Sequence, residues 1–218
     1  AEKLKSWQEK WGNTYDRDYK HEIMGDVLER MSIKGEIGQV VLDIGSGKEP
    51  VSKLIPEPKK VITIDVGGTL ALPGNNLHLQ YDFEDLSQKR EPISSQATDE
   101  IAKFLGREPQ EIRQNPWADT IIMADILNYV PYEATLNTSS KLLRPGGRIV
   151  IFNKPGRGYS KDLFSENGLK INSELFEEIE INALEIEYRD FPWEMPGEEE
   201  FRDETMLILV ARKMLVEG

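Results

Sequence analysis

The hydrophobic positions of this chain fall into short apolar runs separated by amphipathic stretches. Val40-Val41-Leu42, Val61-Ile62-Thr63-Ile64 and Thr120-Ile121-Ile122-Met123-Ala124 are each nearly continuous. A short run that is apolar at consecutive positions suits a strand covered on both faces, as in a parallel sheet. Leu77 to about Asp82 alternates instead, with Leu77, Leu79 and Tyr81 on one face, and predicts a third strand. With the run at 120–124 as the fourth, Arg148-Ile149-Val150-Ile151-Phe152 predicts a fifth strand, and residues 184–190 and 205–211 predict two more. The last of these, Met206-Leu207-Ile208-Leu209-Val210, is apolar throughout and should be central rather than an edge.

Between these runs the period lengthens. Within Tyr15 to Met31, residues Ile23, Met24, Val27, Leu28 and Met31 line one face of a helix. The residues through Trp11 read as a short helix or arm. Pro50 to Leu54 leaves room only for a short helix, because Pro56 and Pro58 break it. Helices are also expected over 98–105, 109–114 and 133–143, the last stopping before Pro145-Gly146-Gly147. A further helix is expected to open at Ser173, with Leu175, Phe176 and Ile179 inward. Gly67, Gly68, Pro73 and Gly74 mark a loop. Alternating strands and helices predict an α/β fold, a mostly parallel sheet with helices on both faces. The segment joining the last two strands is rich in Pro and Glu without a helical pattern, so the chain should reverse there and the last strand should run antiparallel. No internal repeat is visible. The stretch from Leu86 to Trp117 is longer than a connection needs. It reads as a helical insertion, either a surface excursion or a cap over a substrate mouth.

The chemistry concentrates at the ends of the first two strands. The chain reads Asp43-Ile44-Gly45-Ser46-Gly47 after the first strand, and the second ends at Asp65, 20 residues past Gly45. Glycines there let the backbone turn tightly and approach a ligand. A carboxylate at the tip of the next strand can accept hydrogen bonds from both hydroxyls of a ribose. A nicotinamide-dinucleotide site wants a third glycine and a helix N-terminus for the pyrophosphate. Here Glu49 stands at the third position, and Asp43 precedes the loop, so a ligand with a cationic centre and no phosphate fits better.

On Asp43, Gly45 and Gly47, followed by Asp65, the chain resembles the class I S-adenosylmethionine-dependent methyltransferases, over roughly residues 38–213. The resemblance implies a Rossmann-like seven-stranded sheet and the cofactor S-adenosyl-L-methionine. It implies that Asp43 meets the methionine ammonium directly or through water. Gly45, Ser46 and Gly47 would give backbone contacts, Asp65 would clamp the ribose, and Val66 would pack on the adenine. Asp82 and Phe83, after the third strand, would contact the adenine amino group and cover the ring. Ala124 and Asp125 would run beneath the sulfonium. Asp125, Asn128 and Tyr129 would stand near the transferred methyl, although Asn128 or Tyr129 could equally cap the helix after Pro131. The chain has two histidines. His21, on the N-terminal helix with Tyr15 and Tyr19, is a weak candidate base. His78 lies well inside the third strand and reads as structural. Asp125 and Asn128 alone do not make a metal cluster, so no metal is expected.

Composition narrows the partners. The 218 residues, 39% hydrophobic and 30% charged, suit one soluble globular domain. The expected organisation is an N-terminal helical arm or cap over 1–36 and the Rossmann-like domain over 37–218, with the insertion at about 86–117. No cysteine is present, which removes thiol nucleophiles, disulfides and thiolate metal sites. No secretory leader or membrane-length apolar run is seen, so a cytoplasmic protein is expected. A net charge of −12 repels nucleic acid and anionic membrane. The Asn/Asp-Pro-Pro-Tyr/Phe signature of nucleobase-amine methylation is also missing; Asn115-Pro116-Trp117 lies before the fourth strand and reads as a turn. The resulting expectation is methyl transfer to a small-molecule acceptor at oxygen or nitrogen, in a monomer or homodimer. Two other functions stay open: an NAD-dependent oxidoreductase, and a non-catalytic S-adenosylmethionine-binding subunit whose exposed Trp7, Trp11 and Trp193 face a partner.

Overall fold

In a computed structural model, which describes residues 17–56, 59–68, 74–83, 95–127, 129–153, 166–187 and 203–215, the apolar runs become the interior of one seven-stranded sheet. The strands are β1 (Val40–Ile44), β2 (Lys60–Asp65), β3 (Asn76–Gln80), β4 (Ala118–Ala124), β5 (Leu143–Asn153), β6 (Phe176–Glu187) and β7 (Asp203–Lys213). Their order across the sheet is β3-β2-β1-β4-β5-β7-β6. Strands β1 to β5 pair in parallel, and β7 is antiparallel to both neighbours. The uniformly apolar last strand is therefore interior, as its sequence requires, and the chain reverses between β6 and β7.

The sheet is covered on both faces. Helix α1 (Arg17–Ile33) lays Met24, Leu28 and Met31 against Val41, Ile122, Val150, Phe152 and Ile208. Helices α2 (Ser95–Leu105), α3 (Pro109–Gln114), α4 (Tyr132–Leu142) and α5 (Glu166–Leu175) pack with the larger core, built on Leu42, Ile44, Ile62, Ile64, Ile121 and Ile149. Ala97, Ile101, Ala102, Leu105, Ile112 and Trp117 are all buried in that core. The described part of the 86–117 stretch is thus packed onto the sheet.

Two elements differ from the expectation. The helix expected to open at Ser173 starts at Glu166 and ends at Leu175, so Phe176 and Ile179 belong to β6, which begins eight residues before the expected 184. The reason is a bulge. The register shifts between Glu177 and Glu180, and Glu178 has φ +50°. An extra residue in a strand puts positions three apart on one face. Phe176 and Ile179 therefore both pack in the main core, and their spacing imitates a helix. Glu178 is held from two sides, by Arg148 at 2.8 Å and Arg212 at 2.7 Å. The second difference is Pro145-Gly146-Gly147, which lies inside β5 rather than before it. Leu143 pairs with Ala118 and Arg148 with Thr120, so these residues form an irregularity within the strand. A Cβ on Gly147 would stand 2.8 Å from the Asp119 carbonyl oxygen, which leaves glycine as the residue that fits.

At the amino end of the parallel strands one side chain joins three segments. Asp119 Oδ2 accepts the Val40 amide at 2.9 Å, and Oδ1 accepts Arg144 Nη1 at 2.9 Å. Gly38 N donates to Thr120 Oγ1 at 3.1 Å beside it. Both carboxylate oxygens face donors, so an amide in the same place must turn its NH2 toward one of them. Asp119→Asn should lower the stability by about 1–2 kcal/mol, read as a lower urea midpoint with an unchanged slope. An unchanged midpoint would show that the start of β1 is held by its neighbours alone.

Candidate functional site

The site is built where the order of the strands reverses direction. Strand β1 is joined to β2 on one side and β4 on the other, so the loops leaving β1 and β4 diverge and open a crevice beyond their carboxyl ends. The two loops touch at its base. Gly45 has φ +69°, and a Cβ there would lie 2.6 Å from Ile126 Cδ1 and 3.0 Å from Ile126 Cβ. Gly47 has φ +60° but open space where a Cβ would go. Glycine is needed twice at Gly45, for conformation and for room, and once at Gly47. The Gly45 amide continues the β1–β2 ladder by donating to Ile64 O at 2.7 Å.

Two carboxylates then set the course of the loop. Asp43 is fully buried; its Oδ2 accepts the Ser52 amide at 2.9 Å, across nine residues of sequence. Among the described residues its buried Oδ1 has no hydrogen-bond partner, and neither has the Ser46 hydroxyl. Asp65 Oδ2 accepts the Gly47 amide at 2.9 Å, and Oδ1 accepts the Gly67 amide at 2.8 Å. Each Asp65 oxygen has a second lone pair left for another donor. Glu49, at the position of the missing third glycine, bonds to Lys53 at 2.9 Å. The loop is followed by a single 3₁₀ turn, Val51–Leu54, preceded by Pro50.

Burial pushes the Asp43 carboxyl up to about 6; the Ser52 amide and hydroxyl oppose the shift, and the negative charge of Asp65 adds to it. Asp65, Asp82 and Asp125 stand at the carboxyl ends of β2, β3 and β4. Arg144, Arg148, Arg212 and Lys213 sit at the opposite edge of the sheet, where Lys213 bonds the carbonyls of Ser140 and Leu143.

The remaining wall leaves β4. Ala124 is half-buried, and Asp125 has φ +55°, a left-handed conformation that Asp tolerates better than most residues. The Asp125 amide donates to Phe152 O at 2.8 Å, so the turn is anchored on β5. Ile126, Leu127 and Val130 are buried beyond it, while Tyr129 is 41% exposed. Val66 and Asp82 are half-buried, and Phe83 lies in the main core. Asn128 and the side chain of His21 lie outside the described residues. So do Trp7, Trp11, Tyr15, Tyr159 and Trp193. Among the described residues no three His, Asp or Glu side chains converge as a metal site. Ser52 and Gly67 are donors that sequence reasoning missed. Ser52 lies within the short 3₁₀ turn, and no local pattern signals a bond to a strand nine residues back.

The glycine argument is measurable. Gly47→Ala should cost about 1–2 kcal/mol, the price of a left-handed L-residue. Gly45→Ala should cost about 2–4 kcal/mol, because displacing Ile126 adds to the same strain. Equal losses in chemical denaturation would show that the contact with Ile126 relaxes freely.

No family model matches the sequence, and no curated protein does either. Solved structures do resemble the fold. The N-methyltransferase NodS from Bradyrhizobium japonicum WM9, in complex with S-adenosyl-L-homocysteine, has a TM-score of 0.54 and 16% identity, over 88% of this chain and 86% of that one. The 1,6-didemethyltoxoflavin-N1-methyltransferase of Burkholderia thailandensis, with S-adenosylhomocysteine bound, has a TM-score of 0.60 and 13% identity, over 98% and 86%. TehB from Haemophilus influenzae has a TM-score of 0.55 and 16% identity, over 95% of this chain and 65% of its own. At these identities the likeness is one of architecture, and the fold of this chain is that of the class I S-adenosylmethionine-dependent methyltransferases.

Proposed function

We propose that the chain is an S-adenosylmethionine-dependent methyltransferase acting on a small-molecule acceptor at oxygen or nitrogen. The observation that carries this is Asp43: a buried carboxylate with one oxygen unpartnered among the described residues, on the strand that leads into the glycine loop, with open space beside Gly47 and Gly68. Such a group calls for a cation. Asp43 would face the cofactor's ammonium, the backbone of Gly45, Ser46 and Gly47 would line its methionine part, and the spare lone pairs of Asp65 would take the ribose hydroxyls. Val66, Asp82 and Phe83 would flank the adenine. The cofactor supplies an electrophilic methyl on a sulfonium. The protein's own work is then to align and to exclude water. Ala124, Asp125, Asn128 and Tyr129 would border the acceptor, with Asp125 and Tyr129 the polar groups able to orient it, and His21 a weak candidate base. Residues 1–36 would act as a cap on the domain at 37–218, with 86–117 at the rim.

Two of the similar structures are N-methyltransferases, which supports nitrogen as an acceptor atom. Among the described residues no helix is long and apolar enough to cross a membrane, and a cytoplasmic home belongs to this reading. The alternative of NAD is disfavoured by the 3₁₀ turn. One turn after Pro50 offers no helix N-terminus of useful length for a pyrophosphate, and Glu49 would add repulsion.

The test is calorimetric titration with S-adenosylhomocysteine across pH. A raised carboxyl pKa means that the folded protein binds a proton the unfolded one has lost. Asp43 therefore contributes stability that is full below about pH 4 and is lost as pH rises through about 6. A bound ammonium reverses the preference and favours the charged form. Affinity should rise through pH 6, by up to about tenfold per unit below it, with proton release on binding. Asp43→Asn should bind more weakly and lose the pH slope. Tight NAD binding with no response to S-adenosylhomocysteine would sink the proposal.

A further inference from the structure

Strand β3 reaches across β2 to the turn that follows Asp65. His78 is the register partner of Thr63, and its Nδ1 lies 2.8 Å from Thr63 Oγ1. Its Nε2 lies 2.9 Å from the carbonyl oxygen of Gly67. A carbonyl only accepts, so in the neutral ring Nε2 carries the hydrogen and Nδ1 accepts from the threonine hydroxyl. Two residues on, Gln80 Nε2 donates to Val66 O at 3.1 Å. The Gly67 amide donates to Asp65 Oδ1, and the Gly47 amide to Asp65 Oδ2. A series of hydrogen bonds therefore runs from Thr63 through His78, Gly67 and Asp65 to the glycine loop. Both nitrogens of His78 are used in it, so the ring acts on the site only through Gly67.

The need for such a brace follows from the turn. Gly67 and Gly68 stand together one residue past the strand, and glycine loses more freedom on ordering than any other residue. Asp65 can hold a fixed orientation only if its two amide donors are themselves fixed. One comes from the β1 loop, and the other comes from this turn. The carbonyl of Gly67 is the handle by which β3 holds it.

We propose that His78 is a positioning residue for the adenosine half of the cofactor. It fixes Gly67 and through it the Asp65 carboxylate and the wall at 66–68. This rests on the methyltransferase reading above and deepens it. Loss of the brace loosens a preformed wall, so ligand binding must supply the order.

The experiment is titration of wild type, His78→Phe and His78→Gln with S-adenosylhomocysteine and, separately, with adenosine. His78→Phe keeps a ring and loses both bonds. It should weaken S-adenosylhomocysteine about tenfold, weaken adenosine by a similar factor, and speed amide hydrogen exchange at Gly67 and Gly47. His78→Gln presents a donor and an acceptor at comparable reach and should recover affinity to within about threefold of wild type. In turnover, His78→Phe should raise KM for S-adenosylmethionine and leave kcat and the acceptor KM near wild type. If His78→Phe does not fold, Thr63→Val replaces it: the hydroxyl that orients the ring is gone, and the same loss of affinity and faster exchange are expected. A folded His78→Phe with wild-type affinity overturns the inference alone, as does a His78→Gln no better than it. Wild type failing to bind S-adenosylhomocysteine overturns the methyltransferase reading and this inference with it.

Discussion

The fold turns on a carboxylate that has almost no reason to be where it is. Asp43 lies on β1 with no exposed surface, flanked in the sheet by Thr63 and Ile122. Burying a charge is costly unless something answers it. The Ser52 amide answers one oxygen and leaves the other. That single bond also decides the path of the loop, because it draws the chain back to β1 after Gly47 and ends it in a short 3₁₀ turn. A residue that stabilised the fold fully would have both oxygens paired. The shortfall at Oδ1 marks where stability has been left out.

Charge is distributed along the strand axis rather than around the surface. The carboxyl ends of the central strands carry Asp65, Asp82 and Asp125 around Asp43, while arginines and Lys213 cluster at the amino ends of β4 and β5. There the arginines pair with Asp119, Glu36, Glu177 and Glu178. The basic end is neutralised within the fold, by pairs that straddle two bulges.

The sheet was legible in the sequence because burial on both faces writes continuous apolar runs, and β1, β2, β4 and β7 obey that rule. Asp43, Gly45, Gly47 and Asp65 were legible because tight turns and strand tips restrict which residues serve there. What escaped was non-local or irregular. Phe176 and Ile179 imitate a helix because a bulge at Glu178 shifts the phase of β6 by one residue. Pro145-Gly146-Gly147 reads as a break, yet β5 accommodates it because β4 shifts register opposite it. Ser52 could not be assigned, since its partner lies on a strand. His78 was rightly placed inside β3, but its link to Asp65 depends on which residue of β2 stands opposite, which only the register decides.

The order 3-2-1-4 places a crevice at the same point in dinucleotide-binding folds, so topology alone does not choose the ligand. The choice is made by what holds the first loop. Where a helix N-terminus holds it, the loop presents amides and half a positive charge, which is a phosphate site. Here the helix is reduced to one 3₁₀ turn, and carboxylates hold the loop instead: Asp43 takes Ser52, and Asp65 takes Gly47. Each of those bonds engages a backbone amide of this segment with a carboxylate. On the reading proposed above, a nucleoside with a cationic arm would meet the site at both ends, ribose at Asp65 and cation at Asp43.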